Sequence, residues 1–300
     1  MKLTSMIPLT VSAGLTQALL FGVVNGCIYI LLATGLNLIF GVMKLVNFAH
    51  GELLMVGAFV AYEVTTIAGL NPYLSIPVSM GSVALIGIML ERYAFRKVRG
   101  TEKLNEIFIS LGLIYVFENF ATLLWVENYN IQILSPFVGL SVPLGNVMLS
   151  YDRILAIAIV IVILVGLVFL TKKTKIGLAM RATSQKSDAA MLMGININKV
   201  YTFTFAVGAA LAGAAGALYG IILPFNPTIG ALPTIKAFAI IILGGLGSIP
   251  GAVIGGLLYG IAENVTGYLS NGTWQDAVAF ALLIAVLAIR PTGLFGEKGE

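Results

Sequence analysis

TKKTKIGLAMRATSQKSDAAMLMGININKV, from Thr171 to Val200, is the polar interruption that decides the fold. It carries Lys172, Lys173, Lys175, Arg181, Lys186 and Lys199 against one acid, Asp188. On both sides lie uncharged runs long enough to enter or cross a bilayer, among them Leu3 to Met43, Val64 to Leu90, Tyr201 to Ile235 and Ala237 to Ala262. A helix needs roughly 20 apolar residues to span the hydrocarbon.

Composition leads to the same class. Of 300 residues, 59% are hydrophobic and 10% charged, and mean hydropathy is +1.00, more apolar surface than a soluble domain of this size could bury. Strand-like alternation is missing, so the reading is an all-α polytopic membrane protein, one domain over 1–300, rather than a barrel. The net charge of +4 does not point to nucleic acid, because the basic residues cluster in short loops between apolar segments. Cys27 stands alone in an apolar run and supports neither a disulfide nor a metal site. The start, MKLTSMIPLT, has no convincing cleavage site and reads as retained.

Of the 17 Lys and Arg residues, 11 fall in two loops, Glu91 to Asn105 and Thr171 to Lys199, which the positive-inside rule places in the cytoplasm. The more acidic connections Glu63 to Tyr73, Glu127 to Asp152 and Glu263 to Asp276 face outward on this reading. Helices are expected near Thr10–Leu32, Tyr73–Leu90, Ile107–Trp125, Ile154–Leu170, Tyr201–Leu223 and Ala277–Ile289. Thr34 to Tyr62 and Leu232 to Glu263 are each too long for one helix and are interrupted by glycine or proline. Each reads as two short, re-entrant or tilted passes. Treating them as pairs gives ten transmembrane helices and treating them as single passes gives eight, with both termini cytoplasmic. Ten would divide into inverted halves of five, and a weak internal likeness joins Gly112–Asn119 to Gly256–Asn264.

Four features carry candidate roles. Gly208, Ala212, Gly216 and Gly220 recur every four residues, a face that lets another backbone approach closely. Leu243 to Gly251, with Gly245, Gly247 and Pro250, cannot be continuous helix; it is either a broken helix beside a pathway or a tight cytoplasmic turn. Asn47-Phe-Ala-His50-Gly-Glu52 is a polar break that could shape the inner mouth of a pathway. Glu118 is the clearest charge inside an apolar segment, with Lys236 and Glu263 nearer predicted ends. Paired catalytic carboxylates, a nucleophile with its base and a metal-ligand cluster are not apparent, which weighs against an enzyme. The sparse intramembrane charge weighs against an ion-coupled secondary transporter, the alternative from another class.

Gly35-Leu-Asn-Leu-Ile-Phe-Gly41 followed by Val46-Asn-Phe-Ala-His-Gly-Glu52 resembles the signature region of permease subunits of ABC transporters for branched-chain amino acids, the LivH type. The likeness continues through Gly177–Ala182, Met193–Asn196 and Ala237–Gly255. It implies a type II-like importer fold in a bacterial or archaeal cytoplasmic membrane. The implied partners are a second, LivM-like permease or another copy, two cytoplasmic ATPase subunits and a periplasmic or lipid-anchored amino-acid-binding protein. ATP and magnesium would sit on the ATPases, since no nucleotide-binding motif occurs in this chain and it is expected to bind no cofactor. Related permeases are associated with urea, short amides or other amino acids, so these remain alternative substrates. Asp188-Ala189-Ala190, three residues and then Gly194 resemble the coupling loop of importers, with Arg181 in the same loop; the later apolar and proline positions of that pattern are not matched, Thr204 standing where isoleucine is expected.

Overall fold

The computed structural model describes residues 6–125, 130–145, 147–270 and 272–296, and Glu127 lies outside them. Helices α1 (Met6–Met43), α2 (His50–Thr66) and α3 (Ser75–Leu90) come first, and α3 runs through a π-helical turn, Glu91–Phe95, into α4 (Arg96–Val98). Then follow α5 (Lys103–Trp125), a hairpin of β1 (Ser141–Leu144) and β2 (Val147–Ser150), α6 (Tyr151–Lys173), α7 (Lys175–Gln185) and α8 (Ser187–Leu192). The chain continues through α9 (Ile197–Ile222), α10 (Ala231–Gly244), α11 (Ile249–Leu269) and α12 (Gln275–Ile289). Gly14–Met43, Ser75–Val98, α5, α6 and α9 are each long and apolar enough to cross a membrane, and α10 with α11 passes the same test as a pair bent by 119°. The chain is a multi-pass helical membrane protein with a broken helix.

The buried element is α9, and its small residues explain why. A Cβ on Gly208 would meet the Gly35 carbonyl of α1 at 2.8 Å, and one on Gly213 would meet Ser79 and Val83 of α3 at 2.9 and 3.0 Å. Gly216 rests on the backbone of Leu54 and Ala58 in α2, Gly220 on Phe225 and Ile133, and Ala212 is fully buried. One helix thus touches three others at backbone distance, where packing takes the place of a hydrophobic drive inside lipid. Ser79 Oγ lies 2.8 Å and 2.9 Å from the carbonyls of Gly57 and Gly213, pinning α2, α3 and α9 at one point.

The two ends of the bundle differ in charge. At one, Arg96 and Thr202 both donate to Glu91 (2.6 Å each), Arg99 donates to Asn198, and Lys103 donates to the Lys44 carbonyl (2.9 Å). Both lysine- and arginine-rich loops therefore share that basic end. At the other, Trp125 donates to Glu63, and Tyr73 and Ser135 both donate to Asp152, with burial and that carboxylate pushing the Tyr73 phenol up from its ordinary pKa.

Three expectations are corrected. The first helix, expected to end near Leu32, runs on to Met43, and Gly35 and Gly41 within it admit the backbones of Gly208 and Gly247. The break falls at 44–49, where Lys44 takes a left-handed φ of 53°. The Thr34–Tyr62 region therefore holds the end of α1 and one further helix, α2, whereas Leu232–Glu263 holds the bent pair α10 and α11. The described ends of the chain do not share an end of the bundle. Gly14 packs on Tyr268 at the close of α11, while Leu294 and Phe295 donate to Leu243 and Gly244 beside its start. Within this helical fold a short hairpin between α5 and α6 turns at Gly145 with φ of 63°.

Candidate functional site

The basic loop is built as a hinge and a finger. Thr174 breaks α6 and caps α7, its Oγ1 accepting from Gly177 N (3.1 Å), and Gly177 sits against the Leu170 and Thr171 carbonyls where a side chain would collide. Arg181 reaches back to donate to the Thr171 carbonyl and holds α7 folded under α6. Lys186 is extended, and α8 starts with Asp188 in its first turn, favoured by the helix dipole. Ala190 is buried, while Asp188 and Ala189 face outward. Gly194, at φ of 83°, closes the helix: its N–H and that of Ile195 bond to Met191 and Ala190 carbonyls (3.0 and 3.1 Å). Asn196 Oδ1 then caps α9 through Lys199 N (3.1 Å). Leu192 and Met193 project from the tip, 89% and 83% exposed, beside half-exposed Met191.

The second locus is at mid-depth, where two broken segments meet. Gly208 is 11 residues into α9, about 16 Å from the basic end. His50 opens α2 at that level, its Nε2 3.1 Å from where a Cβ on Gly35 would stand. The chain thus re-enters the bundle from the basic end over 44–49, where Asn47 Oδ1 accepts from Ala49 N (3.0 Å) and turns it. From the opposite end 223–230 descends to the start of α10. The two helix starts touch: Gly51 N donates to Thr234 Oγ1 (2.9 Å), and a Cβ on Gly51 would strike the Gly230 carbonyl.

His50 and Glu52 do not act as one pair. Two residues apart on a helix they point to opposite faces, His50 toward Gly35 and Gly208, Glu52 toward Gly230. Both are fully buried, as are Asn47 and Thr34. Neither Glu52 oxygen has a hydrogen-bond partner, nor does Thr34 Oγ1 or Asn47 Nδ2. Glu118 stands half-buried on α5.

Gly245, Gly247 and Pro250 belong elsewhere. Gly245 and Gly247 adopt φ of 105° and 85°, Asn37 bonds Gly247 N and the Ser248 carbonyl (2.6 and 2.8 Å), and Ser248 with Pro250 starts α11. Since Gly247 abuts Gly41 near the close of α1, this is a tight turn at the basic end. Sequence reading missed Asn37 and did not pair Lys236 with Glu263; Lys236 Nζ lies 2.6 Å from Glu263 and 3.0 Å from Asp276. Charge in α10 and α11 was the available signal, but the separation of 27 residues hid the partner.

Residues 18–287 match the family model described as the branched-chain amino acid transport system / permease component. The chain belongs to this permease family. The permease is similar to BraD, a high-affinity branched-chain amino acid transport system permease protein of Pseudomonas aeruginosa, with 36% identity covering 94% of this chain and 95% of the relative. It is 34% identical to LivH of Escherichia coli K12 over the same shares. A probable LivM of Methanocaldococcus jannaschii is 24% identical over 90% of the permease and 91% of the relative. Among solved structures, PsaBC from Streptococcus pneumoniae in complex with Fab superposes with a TM-score of 0.50, 13% identity and 92% of each chain covered, a likeness of fold alone.

Proposed function

We propose that this permease is a transmembrane subunit of an ABC importer that carries branched-chain amino acids into the cytoplasm, with ATP hydrolysed on two partner ATPase subunits. It works beside a second permease of the same family, or a second copy, in a cytoplasmic membrane, and receives its substrate from an amino-acid-binding protein outside. The basic end faces the cytoplasm on this reading, as the positive-inside rule requires. The chain itself performs no chemistry.

The observation that carries the reading is the finger made by α7 and α8. Leu192 and Met193 are two large apolar side chains held in the open at the basic end, on a helix fixed at both ends by Lys186 and Gly194. Such a knob suits a groove on a cytoplasmic subunit. Through the Arg181–Thr171 bond and the Asn196 cap, its displacement is passed directly to α6 and α9.

The test is the triple change Asp188→Arg, Ala189→Trp and Leu192→Asp, which alters only exposed positions. We expect the permease to insert normally, to lose the ATPase subunits on co-purification, and to show leucine uptake lower by about tenfold or more, equivalent to ~1.4 kcal/mol of lost contact. Uptake and association at unchanged levels would overturn the assignment.

A further inference from the structure

The seam between α2 and α5 points to a ligand. Trp125 donates to Glu63, and its ring stacks on Phe59 with centroids 4.2 Å apart, so the register of these two parallel helices is fixed at the far end. Glu52 lies 11 residues before Glu63, three helical turns, and therefore on the same face of α2. Glu118 lies seven residues before Trp125, two turns, and on the same face of α5, with buried Ala121 between. Counting down from the anchor, Glu52 is about 16 Å and Glu118 about 10 Å below it. The two carboxylates thus lie on the facing sides of one seam, about one helical turn apart in height.

Their surroundings differ in a way that suggests use. Glu52 is fully buried against Gly230, both oxygens lacking a hydrogen-bond partner. Glu118 is half-buried and opens beside Leu111 and Tyr115, large side chains exposed on the same stretch of α5. No cation of the described chain is paired with either acid: Lys236 is engaged by Glu263 and Asp276, and His50 points to the opposite side of α2. Intramembrane acids are costly and are retained where they meet a partner. Two carboxylates alone make a poor metal site, but they suit a primary ammonium. With Trp125 taken as the level of the outer interface, Glu118 lies ~10 Å below the headgroups, where the amine of a substrate reaches it more readily than that of a lipid.

We propose that Glu118, with Glu52 behind it, holds the α-ammonium of the amino acid in transit while the aliphatic side chain lies on the exposed apolar flank of α5. This rests on the transport reading above and adds the residues and the chemical group.

The test has two arms. In vesicles holding the complete transporter, Glu118→Gln is expected to raise the KM for leucine uptake by about tenfold or more, with Glu118→Asp keeping most of the affinity and the unfolding temperature unchanged. On the purified permease in nanodiscs, labelling of Glu118 by a hydrophobic carbodiimide is expected to slow with isoamylamine and not with isocaproate. Wild-type KM in the Gln variant overturns the proposal, as does protection by isocaproate or by sodium alone equal to that by isoamylamine. A wild-type transporter that takes up no leucine would instead overturn the transport reading, and the amine arm would still report on the seam.

Discussion

Gly216→Val is expected to remove most of the permease from the membrane. The position lies at the middle of the tightest crossing in the bundle, where α9 meets the Leu54 carbonyl and the Ala58 amide of α2. Added core volume normally costs ~1–3 kcal/mol because neighbouring side chains turn aside. Here the obstruction is main chain in a helix, which cannot turn aside without losing its own hydrogen bonds. The cost should therefore exceed that range, and α2 would be pushed off the helix on which the bundle is assembled. Gly112→Val is the matched control, since nothing lies within 4 Å of a Cβ there. It should change stability by no more than ~0.5 kcal/mol. Abundance in membranes and unfolding temperature in detergent separate the two variants, and a Gly216→Val protein that accumulates and melts like the parent would refute this account of the packing.

The same contrast explains what could be read in advance. Spacing alone gave the small-residue face of α9, because a four-residue repeat of glycine and alanine acts locally, whereas the Asp188-to-Gly194 pattern around α8 was noticed through the family resemblance. The interruption at Leu243–Gly251 was visible locally too, but not whether it was a turn or a broken helix. Gly35 and Gly41 carry the same local signal as helix breakers, and only the presence of Gly208 and Gly247 opposite them turns that signal into contact. The positions of His50 and Glu52 were legible as a polar break, but their opposite directions depend on α2 beginning at His50, which the polar break alone does not give. The hairpin at Ser141–Ser150 was missed because whole-chain composition outweighed two strands of four residues each. Long-range pairs such as Asn37 with Ser248, Glu91 with Thr202 and Lys236 with Glu263 have no trace in one sequence.

Lys236→Met is expected to be the most destabilising single change among the charged residues, and its cause is the pair it leaves behind. Lys236 joins Glu263 of α11 at 2.6 Å and Asp276 of α12 at 3.0 Å, while Gln275 donates to the same Glu263 oxygen at 3.1 Å and Tyr29 of α1 at 3.3 Å. These contacts fasten the half-length helix α10, which no loop of its own secures at mid-depth, to three neighbours. Removing the ammonium strands a buried carboxylate, a change worth ~3–5 kcal/mol when one partner of a buried pair is lost. A methionine of similar length keeps the packing, so the loss reports charge and not volume. Adding Glu263→Gln should recover most of it, because a buried pair replaced by neutral groups is often close to neutral. Thermal unfolding of the single and double variants reads both steps. A single variant that melts with the parent would mean that α10 is held by its apolar face alone, and a double variant no better than the single would place the strain on Asp276 instead of Glu263.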